Sequence, residues 1–360
     1  MLKACEEGVS EVWLTSEDTG AYGRDIGTNI VELMILLISH LPKDKMLRVG
    51  MTNPPYILEH LEGISHIMNH PQVFTFLHIP VQAGNDACLE RMNREYTVAE
   101  FEKVCDYLLA NVKDMAISTD IICGFPGETE EEFLGTLENL NKYKFPAVNI
   151  SQFYARPGTV AARMIQVPTK DKKDRSRRVT SLFEGYKNLD YMMGRVERVQ
   201  ISEREPNNKH NGDIMIGHTK NYTKIILPYN PELMGKSVTV KIEKALKWHV
   251  EGLIVEEKLL EVPNPQVYFS PVVKLYEERR LEKDRRQKER ENERKNKLEK
   301  LKREQEEKRR ALKAAEVIGL NRVEEVVTTK ENSTAKNGTA LLSFGASFIF
   351  AGVLLYLLGY

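Results

Sequence analysis

Cysteine is scarce in this chain of 360 residues, and the few cysteines stand far apart. They form no C-x-x-C pair and no cluster with metal-ligand spacing. Such spacing excludes a disulfide framework and indicates a reducing compartment. The N-terminal stretch MLKACEEGVSE contains acidic residues and lacks an apolar core, so it does not resemble a signal peptide. The cysteines are Cys5, Cys88, Cys105 and Cys123.

The chain also lacks net charge, because 52 Lys and Arg balance 52 Asp and Glu. The charges are nevertheless segregated, since residues 274–313 carry 18 basic against 11 acidic side chains. Acidic residues there precede basic ones by four positions, which predicts a long charged helix without a heptad seam. We expect it to act as a solvated spacer, with contact to RNA or anionic lipid as the alternative. The predicted pairs are Glu282–Arg286, Asp284–Lys288, Glu291–Lys295, Glu293–Lys297, Glu299–Arg303, Glu304–Lys308 and Glu306–Arg310.

The sequence has no long apolar run before its C-terminal end. Ala340–Gly359 is uncharged over 20 residues, enough for about 30 Å of helix. Its terminal position and the polar link before it, Arg322–Thr339, predict a transmembrane anchor rather than a buried core helix. With the basic flank on the cytosolic side, the bulk of the chain is expected to face the cytosol.

Strand and helix patterns alternate from Val9 to Phe153, which predicts a parallel sheet, open or barrel-like, with helices outside it. Ligands of such folds bind at the C-terminal ends of the strands. Those ends carry polar, Pro and Gly residues, which together suggest a binding rim, although each alone fits ordinary turn chemistry. The predicted strands are Val9–Thr15, Met46–Met51, Val73–Ile79, Met115–Cys123 and Val148–Phe153. The predicted helices are Thr28–His40, Tyr56–Asn69, Val98–Ala110, with Thr97 as its cap, and Glu128–Tyr143, with Glu128 in its acidic first turn.

The pattern changes after a predicted helix at Lys170–Met193. Short alternating strands then predict a small antiparallel barrel, a shape that often binds nucleic acid. The strands are predicted at Arg195–Ser202, Asp213–His218, Thr223–Leu227, Ser237–Ile242 and Val250–Val255.

Several stretches resemble one known family in order and spacing. They are LTSEDTGAYGRD, GMTNPPYI, FLHIPVQAGND, NREY, TDIICGFPGET and QFYARPGT. These motifs are similar to those of the radical SAM tRNA methylthiotransferases, most closely the eukaryotic tail-anchored branch that acts on N6-threonylcarbamoyladenosine. The resemblance covers roughly Gly8–Val255.

The resemblance implies an incomplete radical SAM partial (β/α) barrel, a small antiparallel β-barrel (TRAM-like), a charged helix and a C-terminal transmembrane helix. The corresponding domains are 1–193, 194–257, 258–338 and 339–360. The implied activity converts N6-threonylcarbamoyladenosine beside the anticodon to its 2-methylthio derivative. It implies S-adenosylmethionine (SAM) and 4Fe-4S clusters as cofactors, and the tRNA anticodon loop and a reductant as partners. It also implies an endoplasmic reticulum membrane location.

The sequence departs from the family in one respect. The C-x3-C-x2-C loop that holds the radical SAM cluster is absent, so the chain appears N-terminally truncated, as an isoform or an incomplete gene model. We therefore expect no metal ligands here and no activity from this chain alone. The alternative is a catalytically inactive, membrane-tethered RNA-binding protein. An α/β hydrolase is excluded because no nucleophile elbow is present.

The resemblance also assigns candidate residues to the SAM pocket. Ser16, Glu17 and Asp18 would face the methionine ammonium, or else form a helix cap. Asn53 and Pro54 would line the ribose, and Gln82 and Arg94 would reach the carboxylate or the ribose. Gly124 and Gly127 would let the backbone approach the adenine, and Phe125 would offer it an apolar face. Asp120 and Glu128 would orient their loop.

The expected substrate or RNA contacts lie at the rim and in the barrel, where basic side chains meet phosphates and aromatic rings stack on unpaired bases. His78 is interpreted as structural. The RNA candidates are Tyr154, Arg156, Lys220, Tyr222, Lys224, Lys236, Lys244 and Trp248.

Overall fold

The computed structural model describes residues 1–208, 212–257 and 261–317. Met1–Glu277 forms one compact unit, and a second begins at Glu278. The anchor expected at residues 340–359, with the link before it, lies outside the described residues. Within the described ranges, no helix is both long enough and apolar enough to cross a membrane.

The first part of the chain is a parallel sheet covered by helices, as the alternating pattern predicts. Its strands are β1 (Glu11–Leu14), β2 (Met46–Val49), β3 (Phe76–His78), β4 (Ala116–Cys123) and β5 (Ala147–Gln152). Single bridges from Leu47 to Val73 and from Met51 to His78 link β2 to β3. The strands therefore lie side by side in chain order, each parallel to the next.

The helices largely follow the predicted positions. They are α1 (Leu2–Glu6), α2 (Ile30–His40), α3 (Pro54–Ile57), α4 (Leu61–Met68), α5 (Asp86–Arg91), α6 (Val98–Asn111), α7 (Glu130–Tyr143), α8 (Val160–Arg163) and α9 (Thr169–Glu184). Thr97 caps α6 in a capping box with Glu100, as predicted. The cap of α7 is Thr129, so Glu128 precedes that helix and is not in its first turn. The predicted helix Lys170–Met193 is wrong beyond Glu184, because Gly185 ends α9 and a separate 3₁₀ turn follows.

The two faces of the sheet differ in what covers them. Leu77, Ile117 and Ile121 belong to the core between the sheet and the helices. Because side chains alternate along a strand, their neighbours His78 and Asp120 lie on the opposite face. That face is only partly buried and polar towards the C-terminal strand ends.

A closed β-barrel follows the sheet. It consists of β6 (Val196–Asn208), β7 (Gly212–Thr219), β8 (Lys224–Pro228), β9 (Ser237–Ala245) and β10 (Val250–Glu257), in the order β10-β8-β7-β6-β9. Its neighbours pair antiparallel, as predicted, except that β10 and β8 close the barrel with a short parallel pairing.

The long helix α10 (Pro265–Val317) matches the predicted charged helix but begins earlier. Phe269, Val272 and Tyr276 in its first turns are buried against the core of the first unit. Residues 278–311 of the helix are exposed, and they show the predicted pairs Glu282–Arg286 at 2.5 Å and Glu306–Arg310 at 3.0 Å.

Candidate functional site

The glycine turn, Gly124–Gly127, follows β4 and is held by a buried acid. Gly124 and Gly127 have φ angles of 75° and 77°, which favour glycine. The carboxylate of Glu128 accepts the Gly124 N–H at 2.8 Å and pairs with Arg175 at 2.7 Å. Burial raises the pKa of Glu128, although the Gly124 N–H and Arg175 oppose that shift. Glu128 thus orients the loop, as expected, with Arg175 on α9 as its partner.

Phe125 is turned into the protein rather than towards a ligand. Its side chain is 7% exposed and packs in a small cluster with Leu89 and Tyr96. The Phe153 ring meets it edge-on, with centroids 5.0 Å apart. The expectation that this ring presents an apolar face to adenine is therefore corrected. The turn presents its backbone instead, at exposed Gly127.

Asp18 acts as a cap, which is the alternative left open by the sequence. One carboxylate oxygen accepts from the Gly20 N–H at 3.0 Å and the Thr52 hydroxyl at 2.9 Å. The other accepts from the backbone and side-chain N–H groups of Asn53 at 2.9 and 2.8 Å. Four hydrogen bonds satisfy this carboxylate. The expectation that Asp18 binds the methionine ammonium is therefore corrected. Asp18 ties the β1 end to the β2 end.

The neighbouring rim residues are placed differently. Ser16 and Glu17 are exposed at the end of β1 and remain accessible there. Asn53 is committed to Asp18, and Pro54 is buried at the first position of α3. Among these residues, Glu17 is the carboxylate that the structure leaves facing solvent.

Gln82 and Arg94 lie near the ends of β3 and β4. Gln82 is buried with a φ of 69°, and its backbone bonds to Asp120 O and Ile122 N extend the sheet beyond β3. The Arg94 Nε is buried without a hydrogen-bond partner among the described residues. Its guanidinium lies close enough to Asp120 to lower the pKa of that acid. Arg94 is thus a cation at the rim whose Nε has no hydrogen-bond partner among the described residues.

A polar network crosses the strands on the open face of the sheet. Asp120 accepts from His78 Nε2 at 2.8 Å and from the Asn149 amide at 2.7 Å. Burial raises the pKa of Asp120, but these hydrogen bonds outweigh it and hold the pKa below its usual value. Asp120 therefore orders this network and not the glycine turn. Asn149 is not among the residues predicted from sequence; it lies opposite Asp120 in the β4–β5 register, which only the structure shows.

Tyr154 and Arg156 follow β5 and are both exposed, Tyr154 by 77%. They lie directly after β5, at the predicted end of the binding rim. Their exposure leaves both side chains accessible to a macromolecule.

Two of the expected RNA contacts are used inside the protein. The Lys220 ammonium is enclosed and donates to the carbonyls of Met68 at 3.0 Å and His70 at 2.7 Å, and also to that of Val73. Burial lowers its pKa well below the usual value. Lys220 cannot neutralise a phosphate without leaving these carbonyls, so that expectation is corrected.

Tyr222 is the second correction. Its ring stacks on His218 with centroids 4.1 Å apart, and the guanidinium of Arg48 lies 4.5 Å from its centroid. Trp13 meets it edge-on at 6.3 Å. The ring is therefore packed where the β-barrel docks on the parallel sheet, and it is not a free platform for a base.

The other barrel candidates remain on the surface or at a cavity. Lys236 is exposed, and Lys244 is exposed and paired with Glu251 at 2.9 Å. Lys224 and Trp248 line a cavity of about 470 Å³ at the N-terminal ends of β4 and β5. This cavity lies at the strand ends opposite the glycine turn.

The cysteines do not fit the iron–sulfur cluster that the family implies. All four are buried, and no three His, Cys, Asp or Glu side chains in the described ranges come together to hold a metal. Burial raises the pKa of Cys88 and of Cys123 to about 12, which favours thiols over the thiolates that bind iron. We derive no step through a cluster.

Comparisons with known proteins match the parallel sheet domain and the β-barrel separately. The Radical SAM superfamily model matches residues 1–140, and the TRAM domain model matches residues 191–255. Proteins named threonylcarbamoyladenosine tRNA methylthiotransferase from Xenopus laevis and Homo sapiens are each 47% identical over 259 residues. That region is 72% of this chain and 46% and 44% of those proteins.

A more distant relative gives the same result. The protein from Pyrococcus abyssi named probable threonylcarbamoyladenosine tRNA methylthiotransferase is 38% identical over 255 residues, which are 70% of this chain and 58% of that protein. The chain spans about half the length of the curated relatives it matches.

Proposed function

Since the chain belongs to the radical SAM tRNA methylthiotransferase family, we propose that it supplies the SAM-binding and tRNA-binding parts of such an enzyme. The proposed substrate is N6-threonylcarbamoyladenosine in tRNA, and the proposed product is its 2-methylthio derivative. The names of the relatives support this substrate. The observation that carries the proposal is the rim, where the glycine turn, Glu17 and the unpaired Arg94 follow the strand ends of a radical SAM fold.

The rim residues suit the groups of SAM. The exposed Glu17 carboxylate complements the methionine ammonium, and the Arg94 guanidinium complements the carboxylate. The backbone at Gly127 lets adenine come close without a side chain between them. In the complete enzyme, SAM would supply a methyl group and, once one electron from the reductant cleaves its sulfur–C5′ bond and releases methionine, a 5′-deoxyadenosyl radical. The chain's own residues bind and orient it, and the His78–Asp120–Asn149 network fixes the polar open face beside it.

SAM binding tests this proposal directly. Equilibrium dialysis with radiolabelled SAM should show saturable binding to the purified chain. Arg94→Gln should weaken binding by about tenfold or more, since a charge-assisted hydrogen bond contributes about 1.5–3 kcal/mol. Arg177→Gln, on the exposed face of α9, is the matched control and should bind SAM normally. Equal affinity of the Arg94 variant and the wild type would remove Arg94 from the site.

We also propose that residues 340–359 anchor the protein in the endoplasmic reticulum membrane, with a cellular reductant as partner of the complete enzyme. The uncharged run of 20 residues supports the anchor. Deleting 340–360 from a tagged protein should move it from the membrane fraction to the soluble fraction. A deletion variant that stays in the membrane fraction would contradict the anchor.

A further inference from the structure

The cavity at the N-terminal edge of the sheet is built by both domains of the first unit. The parallel sheet contributes Phe76 and the starts of β4 and β5, and the helices contribute Tyr143. The barrel side contributes Trp248 and the start of β8. A volume of about 470 Å³ lies in the range of sites that hold small organic molecules.

The walls of this cavity are aromatic and fixed. Tyr143 stacks on Phe145 with centroids 5.3 Å apart, and Trp248 lies 5.4 Å from Phe183. Lys247 is held by the carbonyls of Phe183 and Tyr186, so its ammonium belongs to the wall. Fixed aromatic rings next to open space favour a flat ligand, because stacking needs no further ordering of the protein.

The charge at the cavity favours an anion. Lys144 and Lys224 line it, and the ammonium of neither makes a hydrogen bond or ion pair with any other described residue. The acid on its lining, Asp114, is already paired with Arg195 at 3.1 Å. Two unpaired cations beside aromatic walls match a flat ring that carries a phosphate.

The cavity lies away from the rim that is proposed to hold SAM. Strand β4 runs from the cavity edge at Ala116 to Cys123, next to the glycine turn. Eight residues of extended strand place these ends about 23 Å apart. A nucleotide in the cavity is therefore a different nucleotide from the one that is modified.

We infer that this cavity binds one unpaired nucleotide of the RNA substrate, with the base against Trp248 and the phosphate at Lys144 and Lys224. The inference rests on the proposed function for the identity of the RNA. The site would fix the register of the RNA, so that the target adenosine reaches the opposite end of the sheet. It would also restrict binding to RNA with unpaired bases, since a duplex hides its base faces.

Tryptophan fluorescence provides the test. The chain has two tryptophans, so Trp13→Phe leaves Trp248 as the sole reporter. A 5′-phosphorylated single-stranded pentanucleotide should quench Trp248 saturably, whereas the same sequence in a duplex should not. In that background, Lys144→Gln with Lys224→Gln should weaken binding by about tenfold or more and, because one phosphate contact is lost, reduce the salt slope by about 0.7. Lys103→Gln, on the exposed side of α6, should change neither value.

Unchanged affinity in the double lysine variant, or equal quenching by duplex and single strand, would overturn the inference. SAM binding to the same variant separates this outcome from failure of the proposed function. We expect the double variant to bind SAM normally and single-stranded RNA weakly. Loss of SAM binding in the wild-type chain with intact quenching would contradict the proposed function and leave the nucleotide site standing.

Discussion

The buried pair of Glu128 and Arg175 sets the conformation of the glycine turn. Arg175 reaches both the carboxylate and the backbone carbonyl of Glu128, and the same carboxylate caps the Gly124 N–H. The turn therefore depends on a salt bridge whose two side chains are almost completely enclosed. Removal of one partner leaves an uncompensated charge, which costs far more than an exposed ion pair.

Arg175→Met should lower the free energy of unfolding by about 3–5 kcal/mol at pH 7. Without Arg175 the pKa of Glu128, already raised by burial, rises further above its value in the unfolded chain. The stability of the variant is then greatest at low pH and is lost as pH rises through the folded-state pKa. Urea unfolding at pH 5 and pH 7 measures the difference.

The control for this change is Arg177→Met on the same helix, where the side chain is exposed. It should alter the free energy of unfolding by less than about 0.5 kcal/mol at either pH. A deficit in Arg175→Met that is the same at both pH values would show that Glu128 is not the group left uncompensated.

At the scale of elements, His70 marks the contact between α10 and the parallel sheet domain. Its ring is fully buried and stacks on Phe269 with centroids 5.3 Å apart. Burial, together with the smaller effects of the nearby charges of Lys220 and His66, lowers the pKa of His70 to about 4. The first turns of α10 thus pack against a neutral imidazole.

Acid should therefore weaken the first unit. His70 stays neutral in the folded protein, while the unfolded chain protonates it below pH about 6.5. Its contribution is complete above that pH and is lost as pH falls towards 4, by about 2 kcal/mol at pH 5. His70→Phe should flatten this part of the stability profile between pH 7 and 5, measured by urea unfolding. His40→Phe, at the exposed end of α2, should keep it.

Lys220 joins the barrel to the sheet domain in a similar way. Lys220→Met removes the donor from the carbonyls of Met68 and His70, whose enclosed oxygens then lack it. We expect a loss of about 2–3 kcal/mol in the free energy of unfolding. Lys241→Met, exposed on β9, should cost less than about 0.5 kcal/mol. Equal effects of the two changes would contradict the docking role of Lys220.

The sequence predicts elements better than it predicts the uses of their side chains. The parallel strands are recognisable because apolar runs are bounded by turn residues, and α6 because Thr97 and Glu100 form a capping box. Lys220 and Tyr222 were wrongly predicted to contact RNA, because lysine and tyrosine occur both where two domains pack together and on RNA-binding surfaces. Only the fold shows that carbonyls and rings already surround them.

The same limit applies at the rim. The acidic Asp18 looks like a ligand for an ammonium until the fold brings Thr52 and Asn53 to it from the next strand end. Asn149 was missed for the same reason, because its partner Asp120 is on another strand and the sequence alone does not give the register between the two strands. The spacing of Phe269, Val272 and Tyr276, three and four residues apart, indicates a buried helix face at the start of α10. It was not recognised because the charged stretch that follows dominates the pattern of this region.

Across the molecule, one compact unit contains both the sheet domain, most of which the Radical SAM superfamily model matches, and the β-barrel that the TRAM domain model matches. The proposed SAM rim and the proposed nucleotide cavity lie at opposite ends of the same strands. This arrangement lets one RNA span the sheet domain, with the target base at one end and an anchored neighbour at the other.

The proposed function is a part in the 2-methylthiolation of N6-threonylcarbamoyladenosine in tRNA. Mass spectrometry of digested total tRNA, from cells in which the gene is disrupted, tests it. We expect loss of the 2-methylthio nucleoside with accumulation of N6-threonylcarbamoyladenosine, and much fuller restoration by the intact gene than by one encoding Arg94→Gln. An unchanged amount of the 2-methylthio nucleoside after disruption would contradict it.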